Sequence, residues 1–146
     1  MNNFVVLTVE RFEMRKKINT FDFDGVITLG IYPGPKDVII TGRSFEERDD
    51  TIEFLRSRNI FNVVLFNRAE FNQKSRETSG LHKANRINEL WESGVHVVNH
   101  FDDDEVQIAV IKQNLKYPTN IIHINHGGLI SFENKTHDEH MKSLHV

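Results

Sequence analysis

The chain has 146 residues, which accommodates one domain with a real core and leaves no room for a second. With 18 Lys+Arg against 21 Asp+Glu it carries a net charge of −3, so the overall field makes no case for tight binding to nucleic acid or to a membrane surface. The lack of cysteine excludes disulfides, thiolate metal sites and thiol nucleophiles, and no apolar run reaches the length of a membrane span, so a soluble, cytoplasmic protein is expected.

In chain order, residues 3–12 offer an extra edge strand or a flexible start (1–13) ahead of a second possible beginning at Met14. The pattern then predicts a strand over 17–23 that runs into "FDFDGVIT", where Asp22 and Asp24 stand one residue apart. The connection "GVITLGIYPGPK" is too short and too rich in Gly and Pro for a crossover helix, so a loop or small hairpin is expected over the carboxyl end of the sheet. A strand at 37–41 leads into a helix over 44–59, with Ser44 as N-cap and Glu47 three residues later. After a strand at 62–66, residues 67–80 form a polar loop bearing Arg68, Lys74 and Arg76. Leu81, Ala84, Ile87 and Trp91 make the apolar stripe of a helix over 79–94 that Gly94 stops. A strand at 95–101, a helix at 105–116 with Ile108, Ile111 and Leu115 inward, and a strand at 120–124 complete the series before a polar terminal segment, 127–146. Strands alternating with helices describe an α/β three-layer sandwich with a Rossmann-like, mainly parallel sheet, formed as a single domain over 1–146.

In such a sheet ligands bind beyond the carboxyl ends of the strands. Asp22 and Asp24 lie at one such end, where residues i and i+2 share a strand face and two carboxylates so close call for a cation or a shared proton. Asp102, Asp103 and Asp104 lie at another, as metal ligands or as the cap of the next helix. "VIITGRS" places the Thr41 hydroxyl, the Gly42 amide and the Arg43 charge where a helix opens, a setting for a phosphate oxygen. Lys83, in the first turn of the helix expected from Ser79, is disfavoured there by the helix dipole, so a partner anion is expected, with Lys74 as the rival lysine.

These residues carry a resemblance. Asp22-Phe23-Asp24-Gly25-Val26, Thr41-Gly42-Arg43, Lys83 and the Asp102–Asp104 cluster, in that order, resemble the four motifs of the haloacid dehalogenase (HAD) superfamily of phosphohydrolases over roughly residues 18–125. Within it the pattern is similar to the small capless phosphatases, including polynucleotide 3'-phosphatase domains and the phosphatase-like domains of RNA-repair proteins. The resemblance implies a HAD-like fold with no large cap domain and magnesium-dependent hydrolysis of a phosphomonoester through an aspartyl-phosphate. Asp22 would be the nucleophile and Asp24 the general acid and base. Thr41, Gly42, Arg43 and Lys83 would bind the phosphoryl group. Mg2+ would be held among Asp22, Asp24, Asp103 and Asp104, with Asp103 the first choice of the acidic cluster and Asp102 or Asp104 assisting.

The expected partner is a phosphorylated small molecule or a nucleic-acid end, with the basic residues of 67–80 meeting further phosphates. Nothing in the chain specifies an oligomeric state. The alternative is a catalytically silent HAD-like phosphate-binding or interaction protein. A phosphorylation-receiver domain also gathers acids, Thr and Lys at strand ends, but its phosphorylated Asp lies on a middle strand, an order that does not fit. His123, His126, His137 and His140 are read as surface residues, and Phe45, Phe54, Phe61, Phe66 and Trp91 as core.

Overall fold

The computed structural model describes residues 15–125. The proposed edge strand within 3–12 and the polar segment 127–146 lie outside them. Five strands, β1 (Lys16–Phe21), β2 (Val38–Ser44), β3 (Val64–Asn67), β4 (Val95–Asp102) and β5 (Asn120–His123), form one sheet in the order β3-β2-β1-β4-β5. Every pairing is parallel. Three helices connect them: α1 (Arg48–Ser57), α2 (Arg76–Glu92) and α3 (Glu105–Asn114).

Parallel strands covered on both faces bury side chains on both, and β2 does so with Ile39, Ile40 and Thr41 all fully buried. Ile39 packs with Phe21, Phe23, Val26, Ile27 and Leu55 beneath α1 and the turn after β1. Ile40 faces the other way, into Ile18, Ala84, Ile87, Trp91, Val97 and Ile111, where α2 and α3 cover the sheet. The result is a Rossmann-like α/β sandwich. No helix among the described residues is long and apolar enough to cross a membrane.

The connection from β1 to β2 contains one short 3-10 turn, Ile27–Leu29, in place of a crossover helix. Phe45 is 62% exposed and Phe61 73% exposed, against the expectation that both are core, whereas Trp91 is buried. Phe45 follows the buried end of β2 and its ring lies edge-on to Phe66, under the guanidinium of Arg48.

The chain reverses its direction across the sheet when it passes from β3 to β4, so the switch point lies between β1 and β4. Loops diverge there and leave a crevice at the carboxyl ends. Asp22 follows β1 directly and Asp102 closes β4.

Candidate active site

Register decides which aspartates enter the crevice. Ile18 pairs with Val97 but Asn19 pairs with Asn99, so β4 accommodates one extra residue. A bulge of this kind exchanges the two faces of a strand from that point on. Val97 therefore faces α2 before the bulge, and His100 and Asp102 face it afterwards. From β1, Thr20 and Asp22 take the same side, while Phe21 and Phe23 pack on the other.

A buried polar column results. Thr20 Oγ1 lies 2.7 Å from His100 Nδ1, and His100 Nε2 lies 2.9 Å from Asp102 Oδ2. A neutral imidazole with its proton on Nε2 satisfies both contacts, accepting from Thr20 and donating to Asp102. Burial, partly opposed by Asp102, lowers the His100 pKa, in keeping with that neutral form. Lys83 Nζ donates to Asp102 Oδ2 at 2.8 Å and pairs with Asp22 Oδ1 at 2.9 Å. Lys83 is 1% exposed.

One ammonium thus serves two buried carboxylates. Burial alone would lower the Lys83 pKa, but Asp102 and Asp22 outweigh it and hold the ammonium charged. Burial likewise opposes ionisation of Asp102, yet Lys83 and His100 prevail and hold it ionised. Asp22 is the surplus charge: burial, then the Asp102 carboxylate, push its pKa well above the usual range despite Lys83.

Asp103 completes the group, since oxygens of Asp22, Asp102 and Asp103 lie within 4.8 Å of one another, a set able to hold a metal ion. Three carboxylates against one ammonium leave an excess of negative charge. An all-oxygen donor set of that charge fits a hard divalent cation. Gly25 makes room for the Asp103 carboxylate, with φ at +82° and a hypothetical Cβ only 2.0 Å from Asp103 Oδ2. Gly25→Ala is therefore expected to destabilise the fold by about 1–3 kcal/mol and to displace Asp103. Thermal unfolding with and without a divalent cation checks both effects.

Several residues singled out from the sequence make contacts other than the expected ones. Asp24 stands outside the three-aspartate group because β1 ends at Phe21 and the chain turns, so the strand's i, i+2 rule no longer applies. Its two oxygens accept from Arg43 Nε at 2.9 Å and Nη2 at 2.8 Å. Arg43, expected on a phosphate, is buried on Asp24 instead.

Asp104 also stands outside the group. It caps α3, accepting from the amides of Val106 and Gln107, and pairs with Arg76. Thr41 is buried, and its Oγ1 accepts from the Arg43 amide at 3.1 Å. Gly42 packs on Ser79, whose Oγ would lie 2.8 Å from a Cβ added there. Lys74 pairs with Glu47 and Arg68 with Glu89, so the three basic residues of 67–80 each meet an acid from another element.

Lys83 lies in the third turn of α2 rather than the first. The helix starts at Arg76 because Ser75 and Thr78 cap it reciprocally. Its anion partners are Asp22 and Asp102.

Thr20 and His100 were missed from the sequence. The signal was present in "NHFDDD", where His100 and Asp102 are two residues apart in a strand, the same relation used for Asp22 and Asp24.

Among known proteins, no family model matches the chain and no curated protein matches it.

Proposed function

We propose that the protein is a magnesium-dependent phosphomonoester hydrolase that works through an aspartyl-phosphate on Asp22. The observation that carries this reading is the convergence of Asp22, Asp102 and Asp103 at the β1/β4 switch point, with buried Lys83 bridging two of them. An isolated structural ion pair would need one carboxylate per ammonium. Here the excess negative charge lies in the crevice where such sheets bind ligands.

In this mechanism a carboxylate oxygen of Asp22 attacks phosphorus in line as the ester P–O bond breaks. Asp24 passes a proton to the departing oxygen. It then takes one from the water whose oxygen attacks phosphorus and releases Asp22. Lys83 pairs with Asp22 and orients it, and His100, anchored by Thr20, holds Asp102. Mg2+, held by Asp22, Asp102 and Asp103, would supply charge stabilisation to the phosphoryl oxygens.

The site carries no inserted cap among the described residues, which leaves it open to a nucleotide or a nucleic-acid terminal phosphate. Phe45, 62% exposed with Arg48 over its ring, and Phe71, 48% exposed with Lys74 over its ring, pair an aromatic side chain with a cation, the combination that meets a base and its phosphates. The Phe71 amide meets Glu46, which brings the two segments together beyond the ends of β2 and β3. The alternative, a catalytically silent phosphate binder on the same fold, retains the metal and phosphate affinity without turnover. A cysteine-free chain of this kind fits the cytoplasm.

Magnesium titration of phosphate release from an aryl phosphate tests the assignment of ligands. Asp103→Asn is expected to raise the magnesium requirement at least about tenfold, the loss of one charged ligand. Asp104→Asn should change it little, since asparagine caps a helix as well as aspartate does. The reverse ranking transfers the metal role to Asp104, and magnesium binding without release favours the silent binder.

A further inference from the structure

The geometry points to Arg43 as a positioning residue that holds Asp24 at the reacting centre, rather than as a binder of the substrate phosphate. The inference rests on the phosphatase reading above and adds a role for a residue that reading leaves unexplained.

Arg43 is 2% exposed although it carries a permanent charge. Such a group is buried only when paired and fully oriented. Nε and Nη2 make the two-pronged contact with Asp24, and Nη1 donates to Thr51 Oγ1 at 3.2 Å. Thr51 is itself fixed, donating its hydroxyl proton to the Glu47 carbonyl at 2.8 Å. The flat face of the guanidinium covers the Phe23 ring, 4.7 Å from its centroid. Phe23 in turn is edge-on to Phe54.

The fork is therefore held from three sides. A substrate phosphate can reach it only by breaking the contact with Asp24. The Asp24 side chain is 22% exposed, so the carboxylate is open to a ligand on one side while Arg43 holds it from the other.

Asp24 needs that support. It sits in a turn beyond the end of β1, where no strand pairing fixes its direction, and a proton-transfer group must lie within hydrogen-bond reach of the departing oxygen. Arg43 reaches it from the end of β2, the neighbouring strand, and so ties the turn to the sheet. A lysine at this position keeps the charge but loses the planar two-pronged geometry.

The test compares 4-nitrophenyl phosphate, whose leaving group departs without help, with glycerol 3-phosphate, whose alkoxide requires a proton. Positioning through Asp24 predicts that Arg43→Lys lowers kcat/KM, which covers the steps up to departure of the alcohol, by about a hundredfold on the alkyl ester and by less than about fivefold on the aryl ester. Asp24→Asn should show the same pattern, and the double variant should be no worse than Asp24→Asn alone. Thr51→Val, which loosens the fork without touching Asp24, should show the pattern in weaker form and serves if Arg43→Lys does not fold. Equal losses of kcat/KM on both esters, as loss of a phosphate contact would give, would overturn the positioning role while leaving the phosphatase reading intact. A native protein that hydrolyses neither ester overturns both.

Discussion

Replacing Asp22 with asparagine is expected to cut phosphate release by at least about a thousandfold while leaving the fold intact, because the amide is no nucleophile toward phosphorus. The same substitution should raise the stability of the metal-free protein at neutral pH. Asp22 is held above the usual carboxylate range by burial and by Asp102. A carboxyl whose pKa is higher in the folded state stabilises the fold below its unfolded pKa, and that contribution is lost as pH rises through the folded value. At neutral pH the acid is therefore a liability, which asparagine removes. The gain should disappear when the comparison is made in acid. Magnesium is expected to stabilise the native protein by binding its folded state and to stabilise the variant far less. Urea unfolding at two pH values, with and without magnesium, reads all three effects.

Lys83→Met is expected to be the most destabilising single change at the site, by about 3–5 kcal/mol, since it leaves two buried carboxylates without their shared cation. Burial alone would lower the Lys83 pKa, and Asp102 and Asp22 outweigh it. Removing the ammonium therefore exposes the carboxylates to the full cost of burial, and Asp102 loses the strongest of the interactions that keep it ionised. Combining Lys83→Met with Asp102→Asn should recover part of the loss, because a matched neutral pair avoids the uncompensated charge. The midpoint of urea unfolding measures it. A loss below about 1 kcal/mol would mean that Lys83 is not the buried bridge described above.

The alternation of strands and helices was legible because buried parallel strands and amphipathic helices leave different periods in the sequence. Each of the five strands begins within two residues of its expected position. Ends were less legible where side chains, rather than apolar periodicity, set them. β2 continues through Thr41, Gly42 and Arg43 because pairing with β3 resumes at Ser44 and Asn67. α2 begins three residues early because Thr78 takes the place of the acidic residue of the usual capping box.

The site was legible as a set of residues but not as a set of partners. Strand ends and a helix face bring Asp22, Lys83, Asp102 and Asp103 to one crevice, whereas Asp24 and Asp104 stand outside the group of three aspartates. Which of Asp102, Asp103 and Asp104 enters it depends on an extra residue in β4, and a bulge has no period to announce it. Arg43 lies on β2 and Asp24, 19 positions earlier, in the turn that follows the neighbouring β1, so their pairing needed the sheet order. His100 was hidden among eight histidines, though its spacing from Asp102 was readable.

The central claim is met most directly by measuring magnesium-dependent phosphate release from mononucleotides, 3'- and 5'-phosphorylated oligonucleotides, sugar phosphates and an aryl phosphate, with the Asp22→Asn protein alongside. The account predicts release by the native protein, none without magnesium, and none from the variant. Equal release by native and variant proteins, or silence on every ester while magnesium still binds, would contradict it.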